Sequence, residues 1–196
     1  MPNLITAVVL AACWGTVIVV WCAGAAYNSI RAPRGRMRDR TGNPSLICAT
    51  ALCAVAVLAT RGYWSTLEFD IPWVQGLGLA VLVVSTVFAL WARFALGTAW
   101  SIAPEAGGDR RLHTSGPYGV TRHPIYTGLL GMIIGSALLT GSGQVIILVP
   151  VGLVLFLVKI HFEERLLTAT FPDEYTRYRR RVPQLVPGLA ARRQRD

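Results

Sequence analysis

The chain has 196 residues, of which 53% are hydrophobic and only 15% are charged, and its mean hydropathy is +0.48. This composition is typical of a membrane protein and the length excludes a multidomain arrangement, so we expect one membrane domain over residues 1–196. The formal net charge of +9 does not indicate nucleic-acid binding, because the chain has no nucleic-acid fold signature and contact with anionic lipid accounts for the charge.

Three apolar runs in the N-terminal part, residues 1–96, predict membrane helices. They extend over Leu4–Tyr27, Leu46–Thr60 and Val74–Leu96. The first is interpreted as a retained helix rather than a signal peptide, since no basic residue precedes it and no cleavage pattern of small residues follows. Arg93, near the end of the third run, is expected to snorkel towards the membrane surface.

The cysteines all lie inside apolar runs, without the spacing of a zinc site or a redox pair. They are Cys13, Cys22, Cys48 and Cys53. Buried cysteine behaves as a small hydrophobic residue. We therefore expect neither a metal site nor a disulfide framework.

A polar connection of about 20 residues follows the third run, which is longer than a plain connector needs. Its glycines and prolines favour turns. Leu112, His113 and Tyr118 are suited to lining a pocket. The sequence therefore predicts a folded loop here.

Two shorter apolar runs follow, Ile125–Thr140 and Val145–Ile160. Residues 141–144 between them are too few for anything but an antiparallel helical hairpin. We therefore predict an all-α, polytopic bundle of five transmembrane helices. Residues 166–178 predict short amphipathic helices on the cytoplasmic face, and residues 188–196 are expected to form a disordered basic tail.

The arginines are unevenly distributed between the two sides of the predicted bundle. The first connection and the C-terminal third carry most of them, whereas the second connection offers Arg61 against Glu68 and Asp70. Because Lys and Arg accumulate in short cytoplasmic loops, we expect an outside N-terminus and a cytoplasmic C-terminus in the plasma membrane.

Two polar clusters stand at the ends of the predicted hairpin. At its start, His123 precedes Pro124, and proline suits the first turn of a helix. The free N–H groups of such a helix start favour a carboxylate. A His-Pro pair before a helix is, however, more often a cap than a ligand site. At its exit come Lys159, the single lysine among 19 basic residues, then Glu163 and Glu164. Lys159 and Glu163 share a helix face, which fits a snorkelling lysine with its partner. Acids near membrane depth, however, tend to be kept for function.

The order of these motifs resembles one family of membrane enzymes. Gly116-Pro117-Tyr118 is followed by Arg122-His123-Pro124-Ile125-Tyr126, then by Glu163-Glu164, and then by Phe171, Asp173, Glu174, Tyr175, Tyr178 and a Val-Pro pair. This order is similar to that of the isoprenylcysteine carboxyl methyltransferases and their phospholipid methyltransferase relatives. The resemblance extends over residues 97–187 and implies that this part binds the cofactor and carries the catalytic residues.

The resemblance implies methyl transfer from S-adenosylmethionine to a lipophilic acceptor that enters from the bilayer. The favoured acceptor is a carboxylate of a prenylcysteine-like molecule, and methylation of nitrogen or sulfur stays open. The implied cofactor-binding residues are Leu112, His113, Tyr118, His123, Pro124, Ile125, Tyr126 and Glu163.

The expected catalytic residues are Lys159, Arg122 and Glu164. Lys159 stands where the prenylcysteine enzymes of this family have an arginine that meets the substrate carboxylate. An ammonium group cannot form that two-pronged pair, so Arg122 is an alternative partner. Glu164 or His161 would accept the proton of a thiol or amine acceptor.

Two other functions are compatible with the same residues. Sterol and steroid reductases are similar to this family in their C-terminal membrane hairpin, and they bind NADPH there. In such an enzyme, Arg110 and Arg111 would bind the 2′-phosphate of NADPH. The paired glutamates nevertheless favour a cationic cofactor. In a non-enzymatic scaffold the polar residues would only cap helices, and the face of Gly131 and Gly135 would accept another helix or pack within the hairpin.

Overall fold

The computed structural model describes residues 4–31, 67–96 and 112–188, and within these ranges every regular element is a helix. The helices are α1 (Leu4–Arg31), α2 (Pro72–Leu96), α3 (Pro117–Val120), α4 (Pro124–Thr140), α5 (Gly143–Thr170) and α6 (Pro172–Arg181). The all-α prediction is confirmed for this part of the chain. The predicted helix Leu46–Thr60, the loop residues 97–111 and most of the predicted tail lie outside the described residues.

Three of these helices are long and apolar enough to cross a bilayer. The spans are Leu4–Gly24, Pro72–Leu96 and Gly143–Thr170. Helix α4 is apolar but has only 17 residues, so it is about 25 Å long and falls a little short of a hydrocarbon core of about 30 Å. The chain is therefore a membrane protein, while the predicted count of five crossings stays a prediction.

Helices α2 and α4 pack closely because glycines of α4 leave room for the backbone of α2. A Cβ atom on Gly128 would lie 2.9 Å from Cα of Ala89, and one on Gly135 would lie 2.5 Å from N of Leu82. Small residues at this spacing let two membrane helices approach each other. The helix that packs against this face is α2.

A small apolar core joins α1 to this pair. It consists of Val17, Leu82, Met132 and Leu139. Beside it, Nε1 of Trp14 donates a hydrogen bond to Oγ of Ser136 at 3.1 Å. Gly24, further along α1, lies beside Arg93, further along α2. Helix α1 therefore runs in the same direction as α2, whereas α4 runs opposite to both.

The turn between α4 and α5 is shorter than the predicted turn of residues 141–144. Gly141 ends α4 in the left-handed conformation, with φ 58° and ψ 18°, and its N–H donates to the carbonyl of Ala137. The carbonyl of Ser142 already accepts from the N–H groups of Val145 and Ile146, so α5 begins at Gly143. Glycine is favoured at position 141 because other residues adopt this conformation at a cost.

Helix α5 continues ten residues beyond the predicted end at Ile160. It has 28 residues and ends at Thr170. The predicted amphipathic segment 166–178 is therefore divided between the last turn of α5 and the separate helix α6, with Phe171 between them. The point where the sequence stops being apolar marks the edge of the membrane and not the end of the helix. The helix continues past it because charged residues such as Glu and Arg are also good helix formers.

Arg93 differs from its expected role as a snorkelling residue. Its side chain is buried with only 6% of the residue exposed. The guanidinium lies against Gly24 of α1, where any Cβ atom would collide with Nη2. The absence of a side chain at Gly24 makes space for the arginine inside the bundle instead of at its surface.

Candidate functional site

The polar side chains of the C-terminal half meet at one end of the bundle. They come from the segment before α4, the start of α4, the second half of α5, and α6 with the residues after it. Pro124 occupies the first turn of α4, and His123 is its N-cap residue. His123 makes no side-chain capping bond to its helix, so its imidazole is available for contacts with α5.

Glu164 is the centre of the most densely bonded part of this end. Its Oε1 accepts from Nε and Nη2 of Arg122 at 3.1 and 2.9 Å, from Nε2 of His123 at 3.2 Å and from Nε2 of Gln184 at 3.2 Å. Its Oε2 lies 3.8 Å from Nε of Arg179. A buried carboxylate needs such partners, and here the partners come from three different segments of the chain.

Arg122 is also fully engaged by the protein. Besides the two bonds to Glu164, its Nη1 donates to the carbonyls of Val182 at 2.7 Å and Arg179 at 3.2 Å. Its side chain is 8% exposed. The fork of this guanidinium thus joins α5 to the end of α6.

The residues after α6 lie along the start of α4. The backbone N–H groups of Arg122 and His123 donate to the carbonyls of Pro183 and Gln184, at 2.8 and 3.2 Å. The hydroxyl of Thr127 donates to the carbonyl of Leu185 at 2.7 Å. We call residues 182–185 the C-terminal strap.

Glu163 has a different environment from that of Glu164. Its side chain is 33% exposed, compared with 11% for Glu164. The hydroxyl of Tyr126 donates to its Oε1 at 2.7 Å, and Nζ of Lys159 lies 3.5 Å from the same oxygen. Glu163 is therefore the more accessible of the two carboxylates.

His123 lies between the two carboxylates. Its Nε2 is 3.2 Å from Oε1 of Glu164, and its Nδ1 is 3.7 Å from Oε2 of Glu163. A hydrogen bond to the buried carboxylate requires the proton on Nε2. The ring is stacked obliquely near Tyr126, whose own ring lies 5.3 Å from that of Phe156 on α5.

Tyr118 brings the loop before α4 to the same end. Its phenol is buried, and this burial, followed by the nearby Tyr178 and Glu163, raises its pKa. His113 packs edge-on against its ring, with centroids 5.2 Å apart. Burial raises the pKa of Tyr178 to about 12, so its hydroxyl stays protonated and donates to the carbonyl of Tyr118 at 2.6 Å.

The structure thus gathers most of the residues expected from the sequence at one place. His113, Tyr118, Arg122, His123, Tyr126, Lys159, Glu163 and Glu164 belong to this connected group. Leu112 and Ile125 are half-buried, Pro124 is buried, and His161 is exposed. Arg110 and Arg111 lie outside the described residues.

Sequence reasoning missed Gln184, Thr127 and the carbonyl groups of the strap. Tyr178 belongs to one of the sequence motifs, but the motif does not predict its bond to Tyr118. A glutamine between two Val-Pro pairs carries no local signal of a bond to Glu164, because the two residues are 20 positions apart. Only the path of the chain after α6 brings them together.

Comparison with known proteins identifies the family. The sequence profile of the phospholipid methyltransferases matches residues 73–174. A methanethiol S-methyltransferase of Bradyrhizobium diazoefficiens is 40% identical over 79 residues, which are 40% of this chain and 30% of that protein. Protein-S-isoprenylcysteine O-methyltransferase B of Arabidopsis thaliana is 27% identical over 125 residues, 59% of this chain and 60% of the relative.

A third relative has a different kind of name. Cobalt-zinc-cadmium resistance protein CzcN of Cupriavidus metallidurans is 31% identical over 120 residues, 61% of this chain and 51% of that protein. The chain spans between about a third and 60% of the length of these three curated relatives. The matched region of the family profile contains α4, α5 and the paired glutamates.

Proposed function

The chain belongs to the phospholipid methyltransferase family, and on that basis we propose that it is an integral-membrane enzyme that transfers a methyl group from S-adenosylmethionine to a lipophilic acceptor. The observation that carries the proposal is the contrast between the two glutamates. Glu164 is buried among protein donors, while Glu163 is one-third exposed and bonded to Tyr126, whose ring lies beside that of Phe156. Glu163 is thus suited to contact a ligand.

These residues fit the chemistry of the cofactor. A sulfonium and an ammonium group are both cations, which are attracted to a carboxylate and to the faces of aromatic rings. Glu163 supplies the carboxylate, and Tyr126 and Phe156 supply the rings. The first N–H groups of α4 would favour the carboxylate of the cofactor.

S-adenosylmethionine, when bound, supplies a methyl group on a sulfonium that is already electrophilic. The protein therefore has to position the two partners and exclude water. His123 and Tyr126 are held by the two glutamates, and at the same end the buried Tyr178 is bonded to the carbonyl of the buried Tyr118. An acceptor atom with a free electron pair would form the new bond to the methyl carbon as the bond between that carbon and sulfur breaks, and the cofactor would leave as the neutral thioether.

The proposed acceptor is a lipophilic carboxylate, as in the prenylcysteine enzymes. A carboxylate is already ionised, so no base is required. Lys159 would attract it, since its side chain is 25% exposed and its Nζ lies 3.5 Å from Oε1 of Glu163. The isoprenylcysteine O-methyltransferase relative supports this choice of acceptor.

A thiol is the second candidate acceptor. The methanethiol S-methyltransferase relative has the highest local identity of the three relatives described above, and Lys159 replaces the arginine of the prenylcysteine enzymes. A thiol must lose its proton before or during attack. Glu164 is poorly suited to accept it because its Oε1 is bonded to three side chains, so His161 or a water-filled path would be needed.

The alternatives of an NADPH-dependent reductase and a non-enzymatic scaffold are not favoured by the family match.

We also propose an orientation in the membrane: the end of the bundle that carries the site faces the cytoplasm, with the chain in the plasma membrane. Exposed arginines at this end support the assignment under the positive-inside rule; they are Arg165, Arg177, Arg179, Arg180 and Arg181.

Isothermal titration of the purified full chain with S-adenosylmethionine tests the proposal. We expect saturable binding in the wild type and weakened binding in His123→Ala and Glu163→Ala. A wild type that does not bind, or unchanged binding in both variants, would overturn it. Incubation with methyl-labelled cofactor and a panel of lipophilic acids and thiols, followed by mass spectrometry, would then identify the acceptor.

A further inference from the structure

We propose that the C-terminal strap is a part of the methyl-donor site and that Gln184 is a positioning residue within it. This inference rests on the proposed function, because the site concerned is that of S-adenosylmethionine. The strap, residues 182–185, begins directly after α6 and contains no group that contacts Glu163. It acts on the site through the backbone of His123 and through Glu164, which is bonded to the His123 side chain.

The strap fixes the backbone on which the site is built. Two consecutive N–H groups, of Arg122 and His123, donate to two consecutive carbonyls of the strap. These N–H groups precede α4 and have no intrahelical partner of their own. Thr127, one turn further along α4, adds a third bond to the carbonyl of Leu185. The strap therefore holds the backbone immediately before α4, and the first turn of α4, in place.

Gln184 extends this control to the side chains. Its amide donates to Oε1 of Glu164, the same oxygen that accepts from Nε2 of His123. Rotation of the Glu164 carboxylate would move its partner His123, and the Gln184 amide opposes that rotation. His123 in turn presents Nδ1 towards Glu163, at 3.7 Å from Oε2. Gln184 thus positions the His123 ring beside the accessible carboxylate, and it does so through Glu164.

The strap is also distinct from the region that defines the family. The family profile matches residues 73–174 and ends before Gln184. The buried Leu185 and the half-buried Val182, Pro183 and Gln184 are nevertheless integral to this end of the bundle. The residues beyond the matched region therefore contribute to the site of the matched region.

Three variants of the full chain in detergent test the inference, with S-adenosylmethionine as the probe in isothermal titration. Gln184→Leu removes the donor, and Gln184→Glu keeps the shape but replaces the donor with a carboxylate that repels Glu164. Gln75→Leu is the matched control, because Nε2 of Gln75 also donates to a carboxylate, that of Asp70 at 2.9 Å, at the opposite end of the bundle.

We expect Gln184→Leu to weaken cofactor affinity about tenfold and Gln184→Glu to weaken it further, whereas Gln75→Leu stays within about twofold of the wild type. A side chain that only filled space would give the opposite order, since Glu is the closer match to Gln in shape. Gln184→Leu keeps the bonds of Arg122 and His123 to Glu164, so the midpoint of thermal unfolding without cofactor should fall only a few degrees further than in Gln75→Leu.

Affinity in Gln184→Leu equal to that of the control, or the reversed order of Leu and Glu, would overturn the inference while leaving the proposed function intact. A wild type that does not bind the cofactor would remove both. Should Gln184→Leu fail to fold, Thr127→Val decides the question by releasing the strap at Leu185 without touching Glu164. Unchanged affinity in Thr127→Val would then overturn the inference.

Discussion

Glu163 and Glu164 are consecutive residues of α5, yet only Glu164 is enclosed by donors from Arg122, His123 and Gln184. Successive residues of a helix point about 100° apart, so neighbours meet different surroundings. Glu164 faces the loop before α4 and the strap, while Glu163 faces Tyr126 and Lys159. The pair therefore divides into a structural carboxylate and an accessible one.

This division predicts opposite effects for the two amide substitutions. Glu164→Gln leaves the buried Arg122 without its anionic partner, which should cost about 3 kcal/mol and lower the midpoint of thermal unfolding by roughly 6 to 12 °C. Glu163→Gln should leave that midpoint nearly unchanged but weaken S-adenosylmethionine binding about tenfold. Thermal unfolding and titration of both variants check the prediction, and equal behaviour of the two would contradict it.

Arg122→Lys separates two roles of the guanidinium. A single ammonium group cannot reach Glu164 and the carbonyls of Arg179 and Val182 together. We therefore expect a lower unfolding midpoint and weaker cofactor binding in this variant. The competing hypothesis from the sequence, that Arg122 meets the acceptor carboxylate, would instead give a normal midpoint and normal cofactor binding with a raised acceptor KM.

Lys159→Ala tests whether the lysine serves the acceptor. If Lys159 attracts an acidic acceptor, its removal should raise the acceptor KM about tenfold or more while cofactor affinity stays within about twofold. Lys159→Arg should retain a low KM because it keeps the charge. Equal losses of acceptor and cofactor binding in the alanine variant would show that Lys159 is only a structural partner of Glu163.

The contact between α2 and α4 predicts a contrast between two glycines. A Cβ atom on Gly135 would lie 2.5 Å from the backbone N of Leu82, whereas one on Gly76 has nothing within 4 Å. Gly135→Ala should therefore destabilise the protein by about 1 to 3 kcal/mol. Gly76→Ala should be neutral or slightly stabilising, because alanine favours helix more than glycine does. Thermal unfolding in one detergent compares them, and similar midpoints for both variants would refute the close approach.

The sequence by itself indicated much of the fold within the described residues. Apolar runs marked the first, third, fourth and fifth predicted helices, Pro124 marked the start of α4, and Gly141 marked its end. These signals are local, since hydrophobicity, a fixed proline φ and a left-handed glycine act over a few residues. The end of α5 at Thr170 was missed because the helix outlasts its apolar part.

The order of the motifs, and with it the family, was likewise determined by the sequence and is confirmed by the match to the phospholipid methyltransferases. What the tertiary structure alone decided was the assignment of partners. Arg122 and Glu164 are 42 positions apart, Thr127 and Leu185 are 58 apart, and no pattern along the chain selects Glu164 over Glu163. A hydrogen bond depends on distances of about 3 Å between atoms, and only the packing of α4, α5 and the strap sets those distances.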